Sequence, residues 1–199
     1  METRDSDIRV ALHQKLNKKY EDDSDTIILD ELVLCHGKAR ADVAVINGSM
    51  IGYEIKSDRD TLRRLPNQIE AYNKIFDSIT IITGESHLEE VKSVIPNWWG
   101  INVATPATNG EININTYRES KKNDTVEAFE LIKFLLRDEL LYLIDEYGLE
   151  KKYKRIPKFK IWPYILDNFS FEFIKDYVRN CLQARKTPVV DWQQKKYGD

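Results

Sequence analysis

A short hairpin with sorted side chains is the feature that most constrains how this chain folds. Two stretches rich in apolar residues, 40–46 and 50–56, flank the turn residues Asn47-Gly48-Ser49. A three-residue loop here, with Gly48 supplying a positive φ, fixes the pairing of the two strands. In that register Asp42 lies directly opposite Glu54.

The register can be tested by the faces that it creates, since alternate residues of a strand point to opposite sides. With Ile46 paired to Met50, one face collects only apolar side chains: Val43, Val45, Ile51, Tyr53 and Ile55. The other face carries Asp42, Ala44, Met50, Gly52, Glu54 and Lys56. A two-residue turn would mix apolar and polar residues on both faces, so the sorting favours the three-residue loop.

Asp42, Glu54 and Lys56 together suit the hydrolysis of a phosphodiester. This reaction needs hard oxygen ligands for Mg²⁺, or Mn²⁺ in its place, and a cation near the attacked phosphate. Either acid alone would most simply be an exposed strand residue. Because all three polar residues fall on one face of a hairpin whose other face is apolar, we favour a catalytic role.

The same residues resemble the PD-(D/E)XK nuclease superfamily. Its first motif corresponds to Arg40-Ala41-Asp42, without the proline of the family name, and its second to Glu54-Ile55-Lys56. Gln68 and Tyr72 repeat the Q-x-x-x-Y spacing of the RecB-like branch, and the surrounding sequence is similar to a small bacterial and phage subfamily. The resemblance covers roughly the first half of the chain.

The resemblance implies an α/β fold with a restriction-endonuclease-like αβββαβ core, in which helices flank a mixed sheet. It also implies a Mg²⁺-dependent nuclease that cleaves DNA and leaves a 5′-phosphate. Asp42 and Glu54 would hold the metal together with the Ile55 carbonyl, and Lys56 would orient water or offset charge. An RNA nuclease and a non-catalytic nucleic-acid-binding subunit of the same fold are the alternatives.

Several other residues have two interpretations. Glu31 is a candidate third metal ligand, but it is predicted to share a face with Leu29 and Val33, so a strand-end charge is equally good. Gln68 and Tyr72, one helical turn apart, would face the substrate, or would be a surface amide and a core aromatic. Arg63 and Arg64 would contact phosphates or form a solvated helix face.

A basic segment, Lys151 to Trp162, combines positive charge with aromatic residues. Lys152, Lys154 and Arg155 are its candidate phosphate contacts, as expected of a surface that pairs backbone contacts with base stacking. A solubilising linker between two helices is an equally good interpretation.

Hydrophobic periodicity predicts the remaining elements. A first helix is capped by Asp5 or Ser6, a second begins at Asp60, Thr61 or Pro66, and a long buried helix, or an oligomer face, spans Asp124 to Tyr147. Ser170 caps the last helix. Strands are predicted at Ile27 to Leu34, Arg40 to Ile46, Met50 to Lys56, Ser78 to Thr83, Ile101 to Thr105 and Glu111 to Thr116. The predicted division is a nuclease core over residues 1–118 and a helical extension packed on it over residues 119–199.

Composition excludes several classes of protein. The 199 residues carry a net charge of −3, so any surface that binds nucleic acid must be confined to one part of the protein. The sequence contains no apolar run of membrane-spanning length and no signal-peptide pattern, which predicts a cytoplasmic protein without membrane partners. Two cysteines give no disulfide framework. The expected partner is DNA, with RNA less favoured and a homodimer left open.

Overall fold

The computed structural model describes residues 2–148 and 155–185 and shows an α/β fold. Six strands form one mixed sheet flanked by helices, which confirms the predicted class. The strands are β1 (Ile27–Leu34), β2 (Ala39–Ile46), β3 (Met50–Lys56), β4 (Ser78–Gly84), β5 (Gly100–Pro106) and β6 (Ile112–Arg118). All six predicted strands are present, with ends within about two residues of expectation.

The strands lie in the sheet in chain order. β1, β2 and β3 pair antiparallel, β3, β4 and β5 pair parallel, and β6 returns antiparallel to β5. The parallel pairs require crossover connections, and helices supply them. The helices are α1 (Asp5–Lys19), α2 (Leu65–Asn73), α3 (Leu88–Val94), α4 (Ala128–Leu131), α5 (Arg137–Glu146), α6 (Lys158–Asn168) and α7 (Phe171–Ala184).

The two faces of the sheet carry separate cores. On one face, α1 packs Ile8, Leu12 and Leu16 against the smaller core. On the other face, α2 and the helices after residue 119 share the larger core with strand residues. Since one core joins residues from both sides of position 119, the helical extension is packed on the sheet. The boundary at residue 118 stays a prediction.

The hairpin of β2 and β3 has the predicted register. Ile46 pairs with Met50, and the ladder continues to Val43 and Tyr53. The predicted apolar face is confirmed, because its residues belong to the core under α1. The other face is not simply polar, since Ala44 and Met50 lie in the larger core.

The turn itself differs from expectation in one respect. Gly48 does not adopt a positive φ. The Asn47 N–H instead donates to the Ser49 carbonyl at 3.0 Å, while the Asn47 side-chain oxygen accepts the Ser49 N–H at 3.0 Å. These two hydrogen bonds close the loop without a left-handed residue.

Gly52 of β3 supports a prediction about stability. A Cβ at this position would lie 2.6 Å from the ring of Phe76, which is fully buried. Alanine usually stabilises a strand relative to glycine, but here overpacking is expected to dominate. Gly52→Ala should therefore lower the free energy of unfolding by about 1 to 3 kcal/mol, measured by denaturant titration.

Gly48→Ala is the matched control, because a Cβ at position 48 would meet no atom within 4 Å. We expect this variant to differ little from the wild type. A Gly52→Ala protein as stable as the Gly48→Ala protein would contradict the close packing of β3 against Phe76.

Some of the predicted helix starts are confirmed and others are not. Helix α1 begins at Asp5 after Arg4, without a side-chain cap, so neither Asp5 nor Ser6 is its cap. A short 3₁₀ turn over Leu62–Arg64 precedes α2, which has Pro66 in its first turn. Ser170 caps α7 as predicted, its hydroxyl accepting the Phe173 N–H at 3.2 Å.

The prediction of one long helix from Asp124 to Tyr147 is wrong. The chain forms α4, a 3₁₀ turn and then α5. Leu135 and Leu136 are extended, and the Glu139 side chain accepts the Leu136 N–H at 2.6 Å to start α5. Apolar periodicity does not detect this capping interaction. In the described part of the chain, no helix is long and apolar enough to cross a membrane.

Candidate active site

The site is built where β1 changes the direction of its side chains. Glu31, in the middle of β1, has a φ of 56°. This left-handed conformation is uncommon for a residue other than glycine and interrupts the alternation of the strand. Leu29 and Leu32 consequently point into the same core.

This local conformation corrects the face predicted for Glu31. Its carboxylate does not share a face with Leu29 and Val33 in a regular strand. It lines a cleft and forms ion pairs with Arg9, at 3.1 Å, and with Arg40. Glu31 therefore lies beside the candidate site residues, and its role as a third metal ligand stays a prediction.

β2 changes direction at the matching position. Ala41 and Ala44 lie in the same core, and the β1–β2 ladder skips the pair formed by Glu31 and Asp42. The β2–β3 ladder stops at Val43 and Tyr53. Beyond this point the Asp42 side chain replaces the backbone as the partner of β3, because its Oδ2 accepts the Ile55 N–H at 2.7 Å. Asp42 is thus held against β3 beside Glu54.

Asp42 is mostly buried, with 19% of its side chain exposed. Burial and the neighbouring Glu54 carboxylate raise its pKa to about 7. The hydrogen bond from Ile55 and the charges of Arg9 and Lys56 act in the opposite direction. A carboxylate that is hard to ionise beside a second carboxylate is an arrangement that a divalent cation would stabilise.

Glu54 is the centre of a buried hydrogen-bond network. Its Oε1 accepts from Lys56 Nζ at 2.5 Å and from Gln68 Nε2 at 2.5 Å, and its Oε2 accepts from the Tyr72 hydroxyl. Burial, followed by the charges of Glu54 and Asp42, raises the pKa of Tyr72 well above its ordinary value. The Tyr72 hydroxyl is therefore a neutral donor to Glu54.

This network changes the expected role of two residues. Gln68 and Tyr72 were predicted to face the substrate from α2, or to be a surface amide and a core aromatic. Tyr72 is fully buried in the larger core, as the second interpretation expected, and both residues also donate to Glu54. They orient the carboxylate. Glu54 and Lys56 are themselves only 1% and 5% exposed, so they do not lie on an open strand face.

An open cleft of about 360 Å³ gives access to these groups. Its lining includes the predicted residues Glu31, Asp42, Glu54, Ile55, Lys56, Arg64 and Gln68. Arg63 is exposed and does not line this cleft. In the basic segment, Arg155 is exposed, whereas Lys152 and Lys154 lie outside the described residues.

Seven further lining residues were not predicted as site residues: Asp5, Arg9, Lys38, Ala39, Arg40, Asp60 and Asn67. A signal for two of them was present. Asp5, Arg9 and His13 follow one another at helical spacing on α1, beside the apolar stripe that packs on the sheet. A polar stripe of this kind is usually solvated, and only the fold shows that it faces Asp42.

The donor set suits a magnesium ion that keeps several of its water ligands. Mg²⁺ in phosphate-transfer sites is commonly held by one or two carboxylates together with substrate oxygens. Asp42, Glu54 and the Ile55 carbonyl would provide such a set. Among the described residues, no cluster of three or more His, Cys, Asp or Glu side chains is arranged as a complete metal site.

Comparisons with known proteins show the family to which the chain belongs. The family model described as bacteriophage P4 protein cII matches residues 1–195. Protein cII of Enterobacteria phage P4 is 31% identical over 146 residues, covering 73% of this chain and 54% of that protein. The chain therefore spans about half the length of this relative.

A solved structure of a protein of unknown function from Silicibacter pomeroyi is also similar. It has a TM-score of 0.38 and 17% identity, covering 57% of this chain and 71% of the other.

Proposed function

We propose that this chain, which belongs to the bacteriophage P4 protein cII family, is a Mg²⁺-dependent nuclease that hydrolyses phosphodiester bonds in DNA. The observation that carries this proposal is the meeting of two carboxylates with a lysine at the end of a hairpin. Asp42 is bonded to β3 next to Glu54, and Lys56 contacts Glu54 directly. An open cleft leads to all three.

The order of elements supports a restriction-endonuclease-like core. Helix α1, an antiparallel meander of β1, β2 and β3, the helix α2 and the parallel strand β4 follow one another. This is the αβββαβ order that the PD-(D/E)XK resemblance implies. The candidate residues lie on the second and third strands, where that resemblance expects them.

Each side chain has a distinct task in the proposed reaction. Asp42, Glu54 and the Ile55 carbonyl would hold Mg²⁺, which when bound supplies Lewis-acid activation of water and phosphate. Lys56 places a buried positive charge where negative charge develops on the phosphate oxygens.

Further residues of the cleft support these groups. Gln68 and Tyr72 hold the Glu54 carboxylate in one orientation. Arg64 and Lys38 line the same cleft and would contact the substrate backbone.

One observation favours a second candidate, a nucleic-acid-binding subunit without catalysis. Glu54 is already satisfied by protein donors, since Lys56, Gln68 and Tyr72 all bond to it. Such a network is stable without a metal ion. In this alternative the cleft residues bind a phosphate backbone and no bond is cleaved.

A cleavage assay distinguishes the two candidates. Purified protein is incubated with linear, circular and single-stranded DNA and with RNA, in the presence of Mg²⁺, Mn²⁺ or EDTA. We expect DNA cleavage with the metals and none with EDTA. Cleavage of RNA alone would assign the substrate differently, while binding without any cleavage would favour the subunit.

The basic segment gives a prediction about binding. Changing Lys152, Lys154 and Arg155 together to Ala should weaken DNA binding equally for all sequences. The slope of log K against log salt should become shallower by up to about one unit for each DNA phosphate that these side chains neutralise in the wild type. Fluorescence anisotropy at several salt concentrations measures both effects.

The control removes the same charge elsewhere. Lys18, Lys121 and Lys122 are exposed and do not line the described cleft, so changing them to Ala should leave the slope near the wild-type value. If both triple variants have the same slope of log K against log salt, the basic segment is a solvated linker and does not contact DNA.

A further inference from the structure

Arg9 of α1 is surrounded by carboxylates at the edge of the candidate metal site. Its guanidinium lies 3.1 Å from Glu31 Oε1 and 3.4 Å from Asp42 Oδ1, and it donates to the Asp42 carbonyl at 2.7 Å. Asp5 and Asp30 approach within 3.4 and 3.5 Å. A single cation therefore contacts four acidic side chains.

The surroundings of Arg9 keep it charged and fixed. Only 21% of its side chain is exposed. Burial alone would lower its pKa, but Asp5, Asp42 and Glu31 raise the pKa above its ordinary value. Arginine also presents its donors in a rigid planar fork that matches the two oxygens of a carboxylate, whereas the lysine ammonium is a compact point charge.

Arg9 and a divalent ion would use the same oxygen atoms. Asp42 Oδ2 accepts the Ile55 N–H, whereas Oδ1 has no backbone partner and is the oxygen that Arg9 contacts. Glu31, the candidate third ligand, directs Oε1 to Arg9 as well. Two cations this close to the same oxygens would repel each other, so the guanidinium and a metal ion would compete for these ligands.

We propose that Arg9 is the resident cation of this site and that a divalent ion held by Asp42 and Glu54 gains Glu31 as a further ligand in exchange for the Arg9 guanidinium. The inference rests on the proposed function, because it concerns the same metal site. Arg9 is here a positioning residue: it holds the Asp42 and Glu31 carboxylates together in the metal-free protein. It thereby lowers the affinity for metal.

The test measures metal binding without reference to cleavage. Mn²⁺ is titrated calorimetrically into wild-type protein, Arg9→Met and Lys18→Met, which removes an equal charge from an exposed position of the same helix. We expect Arg9→Met to bind Mn²⁺ on the order of tenfold more tightly than wild type. Lys18→Met should stay within about twofold of wild type, because solvent and salt screen exposed charges.

Two further measurements show that the gain comes from the interaction between Arg9 and Asp42. In the double variant Arg9→Met with Asp42→Asn, the increase in Mn²⁺ affinity should disappear, since the ligand shared by Arg9 and the metal is removed. Without metal, Arg9→Met should melt at a lower temperature than wild type, and Mn²⁺ should raise its melting temperature by more than it raises that of wild type. Arg9→Lys keeps the positive charge but loses the planar guanidinium, so its affinity for Mn²⁺ should lie between those of wild type and Arg9→Met. This variant replaces Arg9→Met in the test if Arg9→Met does not fold.

The outcomes separate this inference from the proposed function. Wild type that binds Mn²⁺, with loss of binding in Glu54→Gln and equal or weaker binding in Arg9→Met, would overturn the inference and leave the metal site intact. Absence of binding in both wild type and Arg9→Met would overturn the metal site together with it. Binding by Arg9→Met alone would be the strongest support for the exchange.

Discussion

Glu54→Gln and Lys56→Met are each expected to lower metal-dependent DNA cleavage by on the order of a hundredfold or more. Glutamine keeps the shape of residue 54 but supplies a weaker, neutral ligand for the metal. Methionine keeps the length of residue 56 but removes the cation beside the phosphate. Single-turnover cleavage rates at saturating DNA would measure the loss in the chemical step.

Both residues are buried, so stability must be measured beside activity. A lysine or carboxylate left without its partner in a buried site destabilises a protein by several kcal/mol. Either single variant is therefore expected to unfold more easily than wild type. The double variant Glu54→Gln with Lys56→Met removes both charges and should recover part of the stability but none of the activity.

A matched control lies on the next helix. Glu70 of α2 is exposed and pairs with Lys74, so Glu70→Gln removes one carboxylate outside the metal site. We expect near wild-type cleavage from this variant. Full activity in a well-folded Glu54→Gln protein would exclude Glu54 as a metal ligand. If the wild type cleaves nothing, and Glu54→Gln binds DNA as tightly as the wild type, the non-catalytic binding subunit would be the favoured function.

Much of the sheet could be predicted because its signals are local. The pairing of β2 with β3 follows from the sorting of apolar residues, and that register alone brings Asp42 toward Glu54. Strand order also agrees with the short connections between successive elements. The alternation of apolar and polar residues was sufficient to predict the strands and the register of the hairpin.

The rest of the site depends on contacts between residues distant in sequence. The left-handed conformation of Glu31 has no marker such as glycine, so the change of face in β1 could not be predicted. Tyr72 was recognised by its spacing from Gln68, but its hydrogen bond to Glu54 requires the position of α2 against β3. Arg9 reaches Asp42 only because α1 packs across the sheet.

Asp42 gives the second large effect, a dependence of stability on pH. Its pKa in the folded protein is about 7, whereas an unfolded aspartate has a pKa of about 3.9. Because the folded state holds this proton more tightly, the contribution of Asp42 to the free energy of unfolding is fully present below about pH 4. It is lost as the pH rises to about 7, and further increases change it little.

Comparison with Asp42→Asn isolates this contribution, since the other titrating groups are common to both proteins. Asparagine does not titrate, so the variant should gain stability relative to wild type between about pH 4 and 7, by on the order of 2 to 4 kcal/mol in EDTA. Denaturant unfolding at a series of pH values measures the difference. A difference that does not change with pH would mean that folding does not raise the pKa of Asp42.

The same titration predicts when metal binds. A protonated Asp42 cannot act as a ligand, so the affinity of the wild type for Mn²⁺ should rise with pH up to about 7 and then level off. Above that pH, Mn²⁺ should restore to wild type the stability that ionisation of Asp42 removes, while Asp42→Asn should gain much less. Affinity that stays constant between about pH 5 and 8 would show that the ion is held elsewhere. The proton on Asp42 and the metal would then not compete, and the pairing of Asp42 with Glu54 would serve the fold alone.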